Sequence, residues 1–183
     1  PGVPAPDGAG PVVSRWRGHG GGAGFRRLLG VRRGDMPDVG RRTTLIAGFP
    51  GETREDAKRL EDFIRKARFD YVGVFPFSPE DGTPAATMAD QVSTRTKRAR
   101  VQRLRDIADE VGFEKSAAYV GSTLEVLVDI PDDPEEGPIA RHRGQAPEVD
   151  GAVLLDRALP AGSIATVSVV DVLGYELVGE VVW

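Results

Sequence analysis

Residues 43–53 read TTLIAGFPGET. A short apolar, β-branched run stops at a glycine, passes through Phe-Pro-Gly and turns at once into a charged stretch. A continuous run of this kind predicts a strand over 42–49, buried on both faces. Downstream, TREDAKRLEDFIRKARF (53–69) sets Ala57, Leu60, Phe63, Ile64 and Ala67 at helical spacing. Thr53 reads as its N-cap, with Glu55 and Asp56 complementing the dipole in the first turn. DYVGVFPFS (70–78) is a second buried-looking strand, and it ends in the turn-rich PEDGTPA. Beyond MADQV, Ser93 or Thr94 caps a long basic helix reaching about Tyr119, with an apolar stripe of Val101, Leu104, Ile107, Ala108 and Val111. The order β-α-β-α with tight turns is a parallel α/β arrangement. Two strands are too few to form a stable sheet, so this α/β region reads as the end of a larger barrel.

Ligands of parallel α/β folds bind at the carboxyl ends of strands, where the loop into the next helix begins. GFPGE occupies such a position. Gly48 and Gly51 allow close backbone approach, Pro50 stiffens the turn, and Phe49 offers a face to a flat ring. The plainer reading is that Gly-Phe-Pro-Gly only turns the chain and Glu52 starts the helix. Spacing alone leaves both open.

Outward from this region the composition changes. The chain has 183 residues, 40% hydrophobic and 28% charged, with no cysteine. No run approaches the roughly 18 apolar residues of a membrane span, and no leader is recognised, so the expected setting is the cytoplasm, away from membranes. The lack of cysteine excludes disulfides and thiolate metal sites within these residues. Residues 1–42 hold 11 of the 23 glycines, and 8 Arg against 3 Asp. Residues 43–120 balance 13 basic against 13 acidic side chains, whereas 121–183 carry 3 basic and 12 acidic, a balance of −9. Residues 1–35 show neither helical nor strand periodicity, and glycine interrupts their apolar pairs. The segment reads as disordered or as non-native sequence from a frameshift in a GC-rich gene; an Arg/Gly tail for nucleic acid lacks the expected repeats. His19 falls in this segment, and His142 reads as a solvated turn residue between Arg141 and Arg143.

The last third follows a strand pattern. STLEVLVDI (122–130), EVDGAVLLD (148–156), GSIATVSVVDVLG (162–174) and YELVGEVVW (175–183) are separated by Gly, Pro and Asp. Such spacing predicts a small antiparallel barrel over 121–183. A barrel this acidic repels phosphates, so RNA is disfavoured and a basic protein partner is favoured. A purely solubilising role for the charge is the alternative.

TTLIAGFPGET with FDYVGVFPFSPEDGTPAATMADQV resembles the last two strands of the radical S-adenosylmethionine barrel in the methylthiotransferase family. That resemblance covers residues 36–119 and implies an S-adenosylmethionine pocket lined by Gly48, Phe49, Pro50, Gly51 and Glu52. Phe77, Ser78 and Thr83 would lie on the neighbouring loop. The acidic barrel resembles the OB-like TRAM domain that ends these enzymes. RHRGQAPEVDGAVLL and YELVGEVV are similar to the branch acting on ribosomal protein rather than on tRNA. The resemblance therefore implies methylthiolation of the β-carbon of an aspartate in small-subunit ribosomal protein S-twelve, with the TRAM barrel recognising that target. Glu148, Asp150, Asp171 and Glu176 are the expected partner-binding residues. In the family, one 4Fe-4S cluster reduces S-adenosylmethionine to release a deoxyadenosyl radical, and a second cluster supplies sulfur. A chain without cysteine holds no such cluster, so no catalytic or metal-binding residue is assigned to it. It reads as a C-terminal fragment that is inactive alone. A tRNA-acting relative and a stand-alone acidic binding module remain as alternatives.

Overall fold

The computed structural model describes residues 40–182. The expectations for residues 1–35 and for His19 lie outside the described residues. The chain forms two compact units, dividing between Ala108 and Asp109.

The first unit contains β1 (Arg42–Ala47), α1 (Arg54–Ala67), β2 (Tyr71–Pro76) and the larger part of α2 (Thr94–Ala117). The N-cap of α1 is Thr53, as its sequence position predicts. Its hydroxyl accepts the Asp56 N–H, and the Asp56 carboxylate accepts the Thr53 N–H, which closes a capping box. Arg68 ends the helix in the left-handed region, at φ 45°. β1 and β2 pair in parallel with Leu45 beside Val74 and Ile46 beside Phe75. Leu45, Ala47 and Val74 pack with Ile64 of α1 and with Val101, Leu104 and Ile107 of α2.

The opposite sheet face is open. Ile46 is 38% and Phe75 54% exposed, so these strands are not buried on both faces. The reason is architectural: helices cover one face, and among the described residues nothing equivalent covers the other. Likewise, only β2 pairs with β1 among the described residues. No helix among them is long and apolar enough to cross a membrane.

The second unit is a closed five-stranded barrel. It uses β3 (Thr123–Asp133), β4 (Gly137–His142), β5 (Val153–Leu155), β6 (Ile164–Leu173) and β7 (Glu176–Val182). The strand order round the ring is β3-β4-β5-β7-β6, closing back on β3. The barrel is mixed rather than wholly antiparallel, because β5 and β7 run parallel. A ring in which every neighbour is antiparallel needs an even number of strands; five strands force one parallel pair. The order and the strand count are those of an OB-like barrel. Its core is made by Val126, Val128, Ala140, Val153, Val167, Val169 and Leu177, all at most 1% exposed. Gly179 admits the side chains of Val153 and Val167, which would lie 3.1–3.2 Å from a Cβ there.

Two features of the barrel depart from the sequence pattern. β4 forms over GPIARH, although Gly137-Pro138 suggests a turn. His142, expected in solvent, is the last residue of β4 and is buried. The Gln145 side chain folds back to accept the His142 N–H at 3.0 Å, and the imidazole Nδ1 accepts the Gly144 N–H at 3.1 Å.

Candidate functional site

The carboxyl ends of β1 and β2 open onto a cleft of about 550 Å³. Phe49, Phe77, Ser78 and Thr83 line it together with Ile46 and Phe75. Two loops form its walls, and the sequence determines both. Gly48 and Gly51 take φ values of +82° and +81°, a region that favours glycine. They allow residues 49–52 to close a turn in which the Glu52 N–H donates to the Phe49 carbonyl at 2.9 Å. The second loop is tied to β1 by the Phe77 N–H, which donates to the Ala47 carbonyl at 2.8 Å. The rings of Phe49 and Phe77 meet edge to face, 5.1 Å between centroids.

Gly48, Pro50, Gly51 and Glu52 are not among the cleft-lining residues. Pro50 is buried, and Glu52 is directed into the protein. One Glu52 oxygen accepts the Gly48 N–H at 2.8 Å; the other binds the Arg100 guanidinium at 2.6 Å. Arg100 also donates to the Glu52 carbonyl at 3.1 Å. With side-chain exposures of 9% and 15%, this pair is sheltered, and loss of one partner leaves the other charge poorly solvated. Glu52 therefore does more than start a helix: it fixes the loop carrying Phe49.

Sequence reasoning missed Lys97 and Arg100, read only as positions in a basic helix. Lys97 is 9% exposed, and its ammonium donates to the Phe77 carbonyl at 3.0 Å while sitting 4.8 Å from the Phe77 ring centroid. Its stem covers Gly48, where a Cβ would come within 2.4 Å of the Lys97 Cγ. Two cations of α2 thus brace the two loops, Arg100 through Glu52 and Lys97 through Phe77. The only available signal was their spacing of three along a helix, which is shared by many solvated pairs.

In the barrel, the expected acidic residues fall on two turns. Ala146–Asp150 closes on itself: the Asp150 carboxylate accepts the Ala146 N–H at 2.7 Å, and the Asp150 N–H donates to the Ala146 carbonyl at 3.2 Å. Exposed Glu148 sits at its tip with φ 61°. Asp171 and Glu176 flank the β6–β7 turn, and the Asp171 carboxylate accepts the Val172 N–H at 2.8 Å. The two turns meet where Gly151 lies against the Tyr175 backbone; a Cβ there would come within 2.2 Å of the Tyr175 carbonyl oxygen. Asp150 and Asp171 thus each serve their own backbone, leaving Glu148 as the plainest surface charge of the four. Among the described residues no cluster of three or more His, Cys, Asp or Glu side chains is arranged to hold a metal ion.

The five-stranded barrel in OB-like order carries APEVDG on an outer turn, and residues 120–182 match the TRAM domain family. Most of the chain, beyond the barrel alone, has longer relatives. It is 46% identical over 160 residues to the ribosomal protein uS12 methylthiotransferase RimO of Anaeromyxobacter sp. (strain Fw109-5), covering 86% of this chain and 34% of that protein. The protein of the same name from Citrifermentans bemidjiense is 41% identical over 174 residues, covering 94% of this chain and 39% of that protein. The one from Opitutus terrae is 40% identical over 166 residues, covering 91% and 34%. The chain spans little more than a third of the length of the curated relatives it matches. It is related to the RimO-type methylthiotransferases and corresponds to their C-terminal part.

Proposed function

We propose that this chain is the C-terminal part of an enzyme that methylthiolates the β-carbon of an aspartate in ribosomal protein uS12. In this reading residues 36–119 are the end of a radical S-adenosylmethionine barrel, and 121–183 are the TRAM domain that recognises the target. The supporting observation is the cleft at the ends of β1 and β2, in a chain 46% identical over 160 residues to a uS12 methylthiotransferase. S-adenosylmethionine suits it. Ile46, Phe49 and Phe77 offer apolar walls to a flat purine, and Ser78 and Thr83 bring hydroxyls to the same cleft. The Thr83 hydroxyl is already oriented, donating to the Glu80 carbonyl at 2.7 Å. When bound, the cofactor would supply the radical that abstracts hydrogen. The residues of this chain would bind and orient it, with Glu52, Lys97 and Arg100 holding the loops. Iron–sulfur clusters do not fit these residues, because the 183-residue sequence contains no cysteine. Any cluster ligands of the whole enzyme lie outside it.

For the barrel, the charge of residues 121–183, 3 basic against 12 acidic, favours a basic protein over nucleic acid. Titration of the full chain against purified uS12 and against a tRNA, at rising salt, tests this. The expected result is tighter binding to uS12 that weakens as salt screens exposed charge. Glu148→Lys should weaken it further, mainly through slower association. Tighter binding to tRNA would overturn the assignment.

A further inference from the structure

The second unit exposes more large apolar side chains than a self-contained barrel requires, and four of them gather in one place. Phe113 is 43% exposed, Val120 46%, Val170 43% and Leu173 57%. Two contacts bring them together. The Phe113 ring packs on Gly174, 3.1 Å from where a Cβ would stand, which sets it beside Leu173. The Gly121 N–H donates to the Val169 carbonyl at 2.8 Å, and the Val169 N–H to the Ser122 carbonyl at 2.9 Å, which brings the turn that carries Val120 alongside the part of β6 that carries Val170. Phe113 lies near the end of α2, and Val120 lies in the turn that follows it, three residues past Ala117. The end of α2 and the turn after it therefore run along the second half of β6.

The backbone explains why this surface is open. Pairing of β3 with β6 stops at Thr123 and Ser168. Val170 faces outward by alternation with buried Val167 and Val169, and a bulge that shifts the β6–β7 register between Val169 and Asp171 leaves it without a partner on β7. Past that point β6 has no strand on its outer side among the described residues. The Asp171 carboxylate caps the Val172 N–H at 2.8 Å, which discourages another strand from adding there. Side chains, rather than backbone pairing, are what this surface offers a partner.

Its charged neighbours are mainly acidic. Asp171 and Glu176 bracket the hairpin, and Glu110 and Glu114 lie near Phe113 on α2, against one cation there, Lys115. Of the three arginines in 121–183, Arg141 is paired with Asp129 at 3.0 Å and Arg157 with Asp156 at 2.6 Å. An apolar centre inside an acidic rim is the anatomy of a protein-docking site, and its sign selects a basic partner.

We propose that the surface formed by Phe113, Val120, Val170 and Leu173 is where a basic protein segment docks, with these side chains as its apolar anchors. The proposal rests on the barrel recognising a basic protein, and it moves the centre of recognition from the Ala146–Asp150 turn to the end of α2 and the β6–β7 hairpin.

The test uses the full chain and purified uS12. Leu173→Gln should weaken binding about tenfold, mostly through faster dissociation, as loss of an apolar anchor does. Ile164→Gln removes a still more exposed side chain, 67%, at the other end of β6 and should leave binding unchanged. Val170→Thr gives a second, milder variant, and circular dichroism verifies that all three fold. If wild type binds uS12 and Leu173→Gln and Val170→Thr bind equally well, the patch serves another contact, such as packing against a further part of a longer polypeptide, and the proposal is wrong. If Ile164→Gln alone weakens binding, the docking site lies at the opposite end of β6. If wild type fails to bind uS12 at all, the reading of the barrel as its receptor fails, and the proposal with it.

Discussion

The two units solve the same problem in opposite ways. The barrel closes its sheet on itself, so every strand has two neighbours and the core from Val126 to Leu177 has no open face. The α/β unit covers one face of a two-stranded parallel sheet with helices and leaves Ile46 and Phe75 exposed on the other. A closed ring satisfies its own edges, whereas a short parallel sheet depends on further strands. The cleft lies on that open side, so the feature that weakens the unit as a fold also makes it available to a ligand.

The largest expected effect tests the closed side. Leu177 is 1% exposed within the barrel core, and Leu177→Ala should cost about 3 kcal/mol. Native-state hydrogen exchange should place that loss in barrel amides and spare Leu45 and Val74. An equal loss in β1 and β2 would make the two units one cooperative body and end the comparison.

A smaller effect sharpens the open side. Glu52→Ala strips the Gly48 N–H and the Arg100 guanidinium of their carboxylate. A cost of about 2 kcal/mol is expected for the first unit, because a sheltered donor and a charge lose their partner together. Chemical denaturation followed at first-unit amides measures it; a change below about 0.5 kcal/mol would mean that water replaces the carboxylate and the loop is not held this way.

Smallest of all is the rim of the barrel. Hydrogen bonding from Arg157, and then the Val181 N–H, holds the exposed Asp156 carboxyl below its usual range. A depressed carboxylate stabilises the fold above the ordinary carboxylate pKa, and that contribution is lost as pH falls through the depressed value. Asp156→Asn should therefore cost less than about 0.5 kcal/mol at neutral pH, given solvent screening. The difference should vanish in acid, and a pH series of thermal midpoints for both proteins checks the sign.

What the sequence made legible was local. Thr53 with Asp56 predicts the start of α1, and Val101, Leu104 and Ile107 predict the buried stripe of α2, because both signals lie within a few turns of one helix. The position of Phe49 after a strand left open whether its loop meets a ligand or only turns the chain, and Phe77 was placed beside it by family resemblance alone; both line the cleft. The roles of Arg100 and Lys97 were not legible, because Glu52 lies 48 residues from its cation and Phe77 lies 20 from its own. β4 was hidden by Gly137-Pro138 at its start, and burial of His142 depends on a side chain folding back from Gln145. The parallel β5–β7 pair follows from strand number, a global property that alternation within one strand does not carry.

The contrast between a self-sufficient barrel and an open α/β unit is tested most directly by hydrogen exchange on the unmodified full chain. Amides of Val126, Val167, Val169 and Leu177 should exchange only on opening of the whole barrel, with a common free energy. Those of Leu45, Ile46 and Val74 should exchange through smaller openings, at least tenfold faster, which is about 1.4 kcal/mol lower. Equal protection in the two sets, or greater protection in β1 and β2, would contradict the account.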